Sequence, residues 1–235
     1  MVKIVLVLIT MFYLSYLYID LFNHRYFQLS DYIKYICIIL CFVLSLLIRN
    51  SSFDEHDVKL LQIGLFLTVI ADFFLLILND HYAVGVSIFT VAQVTYSIRY
   101  NVKNKRSTIK NYIVIFGTVF LVYAIINRFV KMDLILPISL CYGICLIVNV
   151  HKSIVIFKQN LYPKPNGAMI AFGMVLFLLC DMNVALYNIF KYASQTDGIM
   201  YRISSVSMWL YYLPSQVLLA LSGYEFEKQG GKSCE

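Results

Sequence analysis

The chain has 235 residues, 60% of them hydrophobic and only 14% charged. A soluble globular domain is nearer half apolar and a quarter charged, so the composition excludes an ordinary soluble fold and predicts an all-α, polytopic membrane helical bundle. The formal charge of +6 comes from Lys and Arg residues spread over polar connections rather than gathered in one basic patch, which excludes a nucleic-acid partner.

Eight apolar segments follow one another, at about 4–21, 32–48, 58–78, 82–99, 112–130, 134–156, 166–190 and 203–223. Each is long enough to cross roughly 30 Å of hydrocarbon, and too long and too continuously apolar for barrel strands of about 9–11 residues. The first is too long for the h-region of a signal peptide and no small-residue cleavage site follows it, so it reads as a span. The connections are short and no composition shift divides the chain. Residues 1–223 are predicted to form one transmembrane domain, with 224–235 a polar tail.

Polar residues inside these spans fall into stripes. Span two opens near Lys34 and holds Cys37 and Cys41. On span three Thr68, Asp72 and Asn79 fall close to one helical face, at offsets −4, 0 and +7 from the aspartate. Span four offers Thr90, Gln93, Ser97 and Tyr100, with Tyr96 beside them; span six offers Ser139, Tyr142, Cys145 and Asn149. Span seven holds Asp181 and Asn188, and span eight holds Ser205, Tyr212 and Gln216. These stripes predict that the spans surround a common polar interior. Hydrogen bonding between neighbouring helices is the plainer use of the Thr, Ser and Tyr residues.

The aspartates are different. A carboxylate in the middle of a span costs about 2.5–3.5 kcal/mol on insertion, and such residues mark functional sites by default. The intervals Gly64, Asp72, Asn79 recur as Gly173, Asp181, Asn188, and Ala92-Gln93-Val94 is echoed by Ser215-Gln216-Val217. Spans three and seven would run in the same direction, giving a candidate parallel 4+4 internal repeat. Counted from Val58 and from Asn166, both aspartates lie about 21 Å from the same membrane face. They could share a cavity if their helices are neighbours.

Orientation follows from the cations. One side would carry Lys3, Arg49, Lys59, Arg99, Lys103, Lys105, Arg106, Lys110, Lys152, Lys158, Lys164, Lys228 and Lys232. The other would carry Arg25, Lys34, Arg128, Lys131, Lys191 and Arg202. The richer side is the cytoplasmic one, which places both termini there. The composition and short loops suit the plasma membrane of a low-GC bacterium.

The six cysteines read as small packing residues rather than a disulfide framework. His24, His56 and His81 fall in loops and His151 near the end of span six, away from the aspartates, so no metal site is predicted. No P-loop, dinucleotide fingerprint or nucleophile elbow occurs, and no cofactor is expected. An enzyme with this inventory would work with two carboxylates.

Gly64 and Asp72, followed by Gly85-x-x-x-Phe89-x-x-x-Gln93-x-x-Tyr96, resemble the first signature of the YhhN-type lysoplasmalogenase family. The second half is similar too, with Gly173, Phe177 and Asp181, then Tyr211-Tyr212-x-x-x-Gln216-x-x-x-Ala220-x-Ser222. Tyr142 and Lys34 also stand where that family tends to have Tyr and Lys. The resemblance covers about residues 30 to 223. It implies eight spans and hydrolysis of the vinyl-ether bond of lysoplasmalogen-type lysophospholipids, releasing a fatty aldehyde. It further implies Asp72 and Asp181 as the catalytic pair, with Tyr96, Tyr212 and Gln216 supporting them; Gln93, Tyr142, Asn79, Asn188 and Lys34 complete the residues expected around the lipid substrate. The chain departs from the family pattern in having Gln93 for His, Tyr35 for Pro, Cys180 for Ser and Pro214 for a small residue.

Buried acids suit that chemistry. A vinyl ether hydrolyses by protonation at carbon, and water then captures the oxocarbenium-like cation. One carboxylic acid must supply the proton and one carboxylate must stabilise the cation and activate water, as the two acids of a glycosidase do. The rival expectations are a proton-coupled membrane transporter, with the aspartates as relay sites, and a non-catalytic lipid-binding membrane protein.

Overall fold

The computed structural model describes residues 1–22, 26–48, 54–101, 104–193 and 198–226. The predicted loop residues His24, Arg25, Arg49 and Lys103, and Lys228, Lys232 and the rest of the tail beyond 226, lie outside the described residues.

Among the described residues all regular structure is helical. Eight helices follow in order: α1 Val2–Phe22, α2 Phe27–Leu47, α3 Glu55–Asp72, α4 Tyr82–Tyr100, α5 Lys105–Ile126, α6 Ile135–Lys158, α7 Lys164–Tyr192 and α8 Ile199–Leu221. A π-helical turn, Phe73–Ile77, continues α3. Six of these are long and apolar enough to cross a membrane: α1, α2, α3 with its π turn, α5, α6 and α7. The other two, α4 and α8, carry more polar residues, Gln93 and Arg99 in one and Arg202 and Gln216 in the other.

Local chemistry explains several boundaries. The Asp54 carboxylate accepts the His56 N–H at 2.8 Å and caps α3, while Glu55 and Asp57 put negative charge in its first turn. Pro165 lies in the first turn of α7, where a missing N–H costs nothing. The fifth helix starts seven residues before the predicted apolar edge, because Lys105, Arg106 and Lys110 sustain a helix beyond hydrocarbon. It also stops earlier, since Asn127 Oδ1 accepts the Met132 N–H and turns the chain.

The main packings close a ring in the order α2, α3, α4, α6, α7, α8 and back to α2. On the outside, α1 lies against α2 and α8, and α5 against α4 and α6. The partners of α1, α2, α3 and α4 thus recur for α5, α6, α7 and α8. Glycines permit close crossings of α3 with α4 and of α7 with α8. A Cβ on Gly64 would lie 2.5 Å from Tyr96 Cε1, and one on Gly173 would lie 3.1 Å from Leu219 Cγ. Gly64→Ala is therefore expected to lose about 1–3 kcal/mol by overpacking. Gly117→Ala, which meets nothing within 4 Å, serves as the comparison, and thermal unfolding of the two purified variants measures the difference.

Arg99 is not a loop cation. It is fully buried near the end of α4, where its Nε and a terminal nitrogen donate to both Asp57 oxygens at 2.9 and 2.7 Å. Its other terminal nitrogen donates to Ser222 Oγ at 3.0 Å, and Tyr162 donates to Asp57 Oδ1 at 2.6 Å. This clasp ties α3, α4, the connection before α7 and the end of α8. Burial beside Asp57 holds the Tyr162 hydroxyl above the usual tyrosine range, so it stays a donor into alkaline solution. Lys152, also counted among the loop cations, donates from α6 to Ser97 Oγ at 2.6 Å, and Tyr112 of α5 donates to the same oxygen at 2.8 Å.

Candidate functional site

Asp72 and Asp181 stand on α3 and α7, which occupy opposite places in the ring rather than adjacent ones. The condition that their helices be neighbours is not met among the main packings, and the two aspartates approach the interior from opposite sides of the ring. Each has a tyrosine partner from a third helix. Tyr212 of α8 donates to Asp72 Oδ2 at 2.6 Å, and Tyr142 of α6 donates to Asp181 Oδ2. The Cys180 thiol also lies against Asp181. Asp72 is 5% exposed, so its interaction with a hydroxyl is the kind of compensation that a buried polar group requires.

A belt of rings holds both hydroxyls in place. Tyr142 packs on Phe89 at 5.9 Å between centroids, Phe89 on Phe177 at 6.2 Å, and Phe177 on Tyr212 at 5.6 Å. Trp209 continues the belt beyond Tyr212 at 5.5 Å. Edge-on and tilted contacts of this kind fix ring orientation as well as burying area. The aromatic residues therefore restrict where each tyrosine oxygen can point.

Gln93 is fully buried one turn beyond Phe89; its Oε1 accepts from Asn149 Nδ2 at 2.8 Å, and its backbone oxygen accepts from the same nitrogen at 2.7 Å. Gln216, one turn beyond Tyr212, is fully buried with both side-chain polar atoms lacking a protein partner among the described residues. Tyr96 is buried against Gly64, one turn further from the aspartates than Thr68. These three sit in the interior on one side of the acid pair.

Two expected site residues do not join them. Asn79 is exposed, with φ 48°, and its Oδ1 accepts from the Tyr82 hydroxyl. The π turn after Asp72, closed by Leu78 N–H to Phe73 O at 3.0 Å, adds a residue to the turn, and the helix ends at Ile77, before Asn79 is reached. Asn188 is exposed too, two turns beyond Asp181, and donates to Val184 O at 2.8 Å. Lys34 lies apart from the acids, buried between α1 and α8. It pairs with Asp20 at 3.0 Å and with Asp31 at 3.2 Å, and sits 4.9 Å from the Trp209 ring centre.

Asp20 and Trp209 are not among the residues expected from the sequence, and Phe89 and Phe177 stand in the signatures without any sign there that they pack on each other. Asp20 was visible as an acid at the end of a span, but nothing in its own segment identifies Lys34 as its partner. An apolar groove of about 370 Å³ opens between α4 and the start of α6, lined by Ala83, Val84, Ser87, Ile88, Val91, Leu134 and Ile138. It lies beside the α4 turn that carries Phe89.

No curated protein and no solved structure matches the chain. A family model does match, over residues 29–223, which takes in α3, α4, α6, α7 and α8 and every member of the acid and tyrosine cluster. On that match, the chain belongs to the YhhN family.

Proposed function

We propose that this membrane protein hydrolyses the vinyl-ether bond of lysoplasmalogen-type lysophospholipids, with Asp72 and Asp181 as its acid and base. The observation that carries the reading is the facing pair of carboxylates, each bound by a tyrosine hydroxyl, on opposite helices of the ring. The resemblance of these positions to lysoplasmalogenases supplies the substrate class.

The steps balance simply. The protonated aspartic acid gives its proton to the alkenyl carbon farther from oxygen, leaving an oxocarbenium-like cation at the other. The ionised partner stabilises that cation and takes a proton from the water that attacks it. The resulting hemiacetal breaks its C–O bond to the glycerol, giving a fatty aldehyde and a glycerophospho-head group. Tyr212 and Tyr142 hold the carboxyl oxygens in position through this exchange. Both termini would face the cytoplasm, since moving Arg99 out of the loops leaves the cation bias in the same direction.

Aldehyde release from a lyso-plasmenyl phospholipid by the purified protein in detergent micelles tests the reading. Release above that from the Asp72→Asn protein supports it, and none from folded protein with either an ethanolamine or a choline head group overturns it. The recurring packing of the two halves favours one rival, a proton-coupled transporter. That rival requires lipid-dependent proton flux in liposomes with the lipid unchanged.

A further inference from the structure

We propose that the first helix positions the site: Tyr13, Tyr16 and Asp20 hold the segment of α8 that presents Tyr212 to Asp72. The catalytic part of this proposal rests on the hydrolase reading above.

Pro214 lies inside α8. Proline has no N–H, so inside α8 it leaves the Leu210 carbonyl without its usual helical donor. The Tyr13 hydroxyl, from α1, donates to that oxygen at 3.1 Å. One residue back, the Tyr16 hydroxyl donates to Trp209 O at 3.2 Å. The first helix thus grips α8 at its break, within three residues of Tyr212.

A second set of contacts reaches the same place through side chains. Asp20 is 5% exposed; its Oδ2 pairs with Lys34 Nζ at 3.0 Å and its Oδ1 accepts from Ser30 Oγ at 2.6 Å. Lys34 in turn sits 4.9 Å from the centre of the Trp209 indole, close enough for a cation–π attraction that burial strengthens. The edge of Trp209 packs on Tyr212, whose hydroxyl donates to Asp72. A helix lying in lipid could pack on apolar contacts alone, and a buried ion pair is a costly substitute for them. Here the polar contacts converge on one short stretch of α8. They come from a helix that precedes residues 29–223, the part of the chain matched by the family model.

Trp209 is the only tryptophan, so its emission reports on this stretch independently of activity. The full-length protein in micelles is compared with Asp20→Asn, Asp20→Glu, Tyr13→Phe and Tyr212→Phe, with Ser15→Ala on the exposed face of α1 as the control. In Asp20→Asn, Trp209 emission is expected to change, and kcat to fall about tenfold with KM within about twofold. Asp20→Glu should restore both readings, and Tyr13→Phe should shift both in the same sense by less. Ser15→Ala should match the wild type. Unchanged emission in a folded Asp20→Asn protein, or changed emission with an unchanged kcat, overturns the proposal. If Asp20→Asn does not fold, the milder Tyr13→Phe decides by the same criteria. If the wild type releases no aldehyde, the hydrolase reading fails separately. Trp209 emission then decides the positional claim alone: it must respond to Asp20→Asn and to Tyr212→Phe.

Discussion

Asp72→Asn and Asp181→Asn should each lower the rate of aldehyde release by about 10²–10⁴-fold, the usual range for removing a positioned general acid or base. Asparagine keeps the size of the side chain and an oxygen that can accept from Tyr212 or Tyr142. The loss is therefore expected in kcat, with KM nearly unchanged and the protein folded. Tyr212→Phe should cost less, because it frees the Asp72 oxygen without removing the carboxyl. A variant of either aspartate that kept more than about a tenth of wild-type activity would take that residue out of the chemistry. Measuring both matters: loss in one alone would leave a single carboxyl and water as the machinery, and the facing geometry would need another explanation.

The largest effect on stability is expected at the other end of the bundle. Asp57→Ala leaves the Arg99 guanidinium buried without its carboxylate, keeping the Ser222 hydrogen bond and the Tyr100 and Tyr162 rings. Removing one member of a buried, bidentate pair costs about 3–5 kcal/mol, whereas replacing both by apolar residues of similar volume is close to neutral or better. Asp57→Ala should therefore unfold at markedly lower denaturant than wild type, and Asp57→Leu with Arg99→Met should recover most of the loss. A single variant costing under about 1 kcal/mol would mean that water reaches the guanidinium and that the clasp is not a dry one. Tyr162 adds a pH dependence of known sign. Its hydroxyl is held above the ordinary value of about 10, so its contribution is intact below that pH. Above it the unfolded chain ionises first, and this part of the stability falls as pH rises.

Both regions show which physical signals a linear chain can carry. The all-helical character follows from long apolar runs, because a backbone in hydrocarbon must satisfy its own hydrogen bonds. Asp72 and Asp181 were legible because a carboxylate in such a run is too costly to be incidental. Tyr142, Gln93, Tyr212 and Gln216 were legible as inward stripes, since helical periodicity says which side chains share a face.

Periodicity does not say which helix that face meets. In lipid the apolar faces are chemically alike, so close packing and hydrogen bonding select the partners, and these depend on residues far apart in the chain. Arg99 looked like a loop cation until Asp57, 42 residues earlier, came within 2.7 Å of it. Asp20 and Lys34 stand on different helices, and only their packing beside α8 brings Trp209 to them. Asn79 failed for a different reason. The offset of seven assumes an unbroken α-helix, but a π turn follows Asp72 and the helix has ended before Asn79, whose backbone is left-handed. The carboxylates themselves were readable in one dimension, but their opposition across a six-helix ring arises only when all the helices have packed.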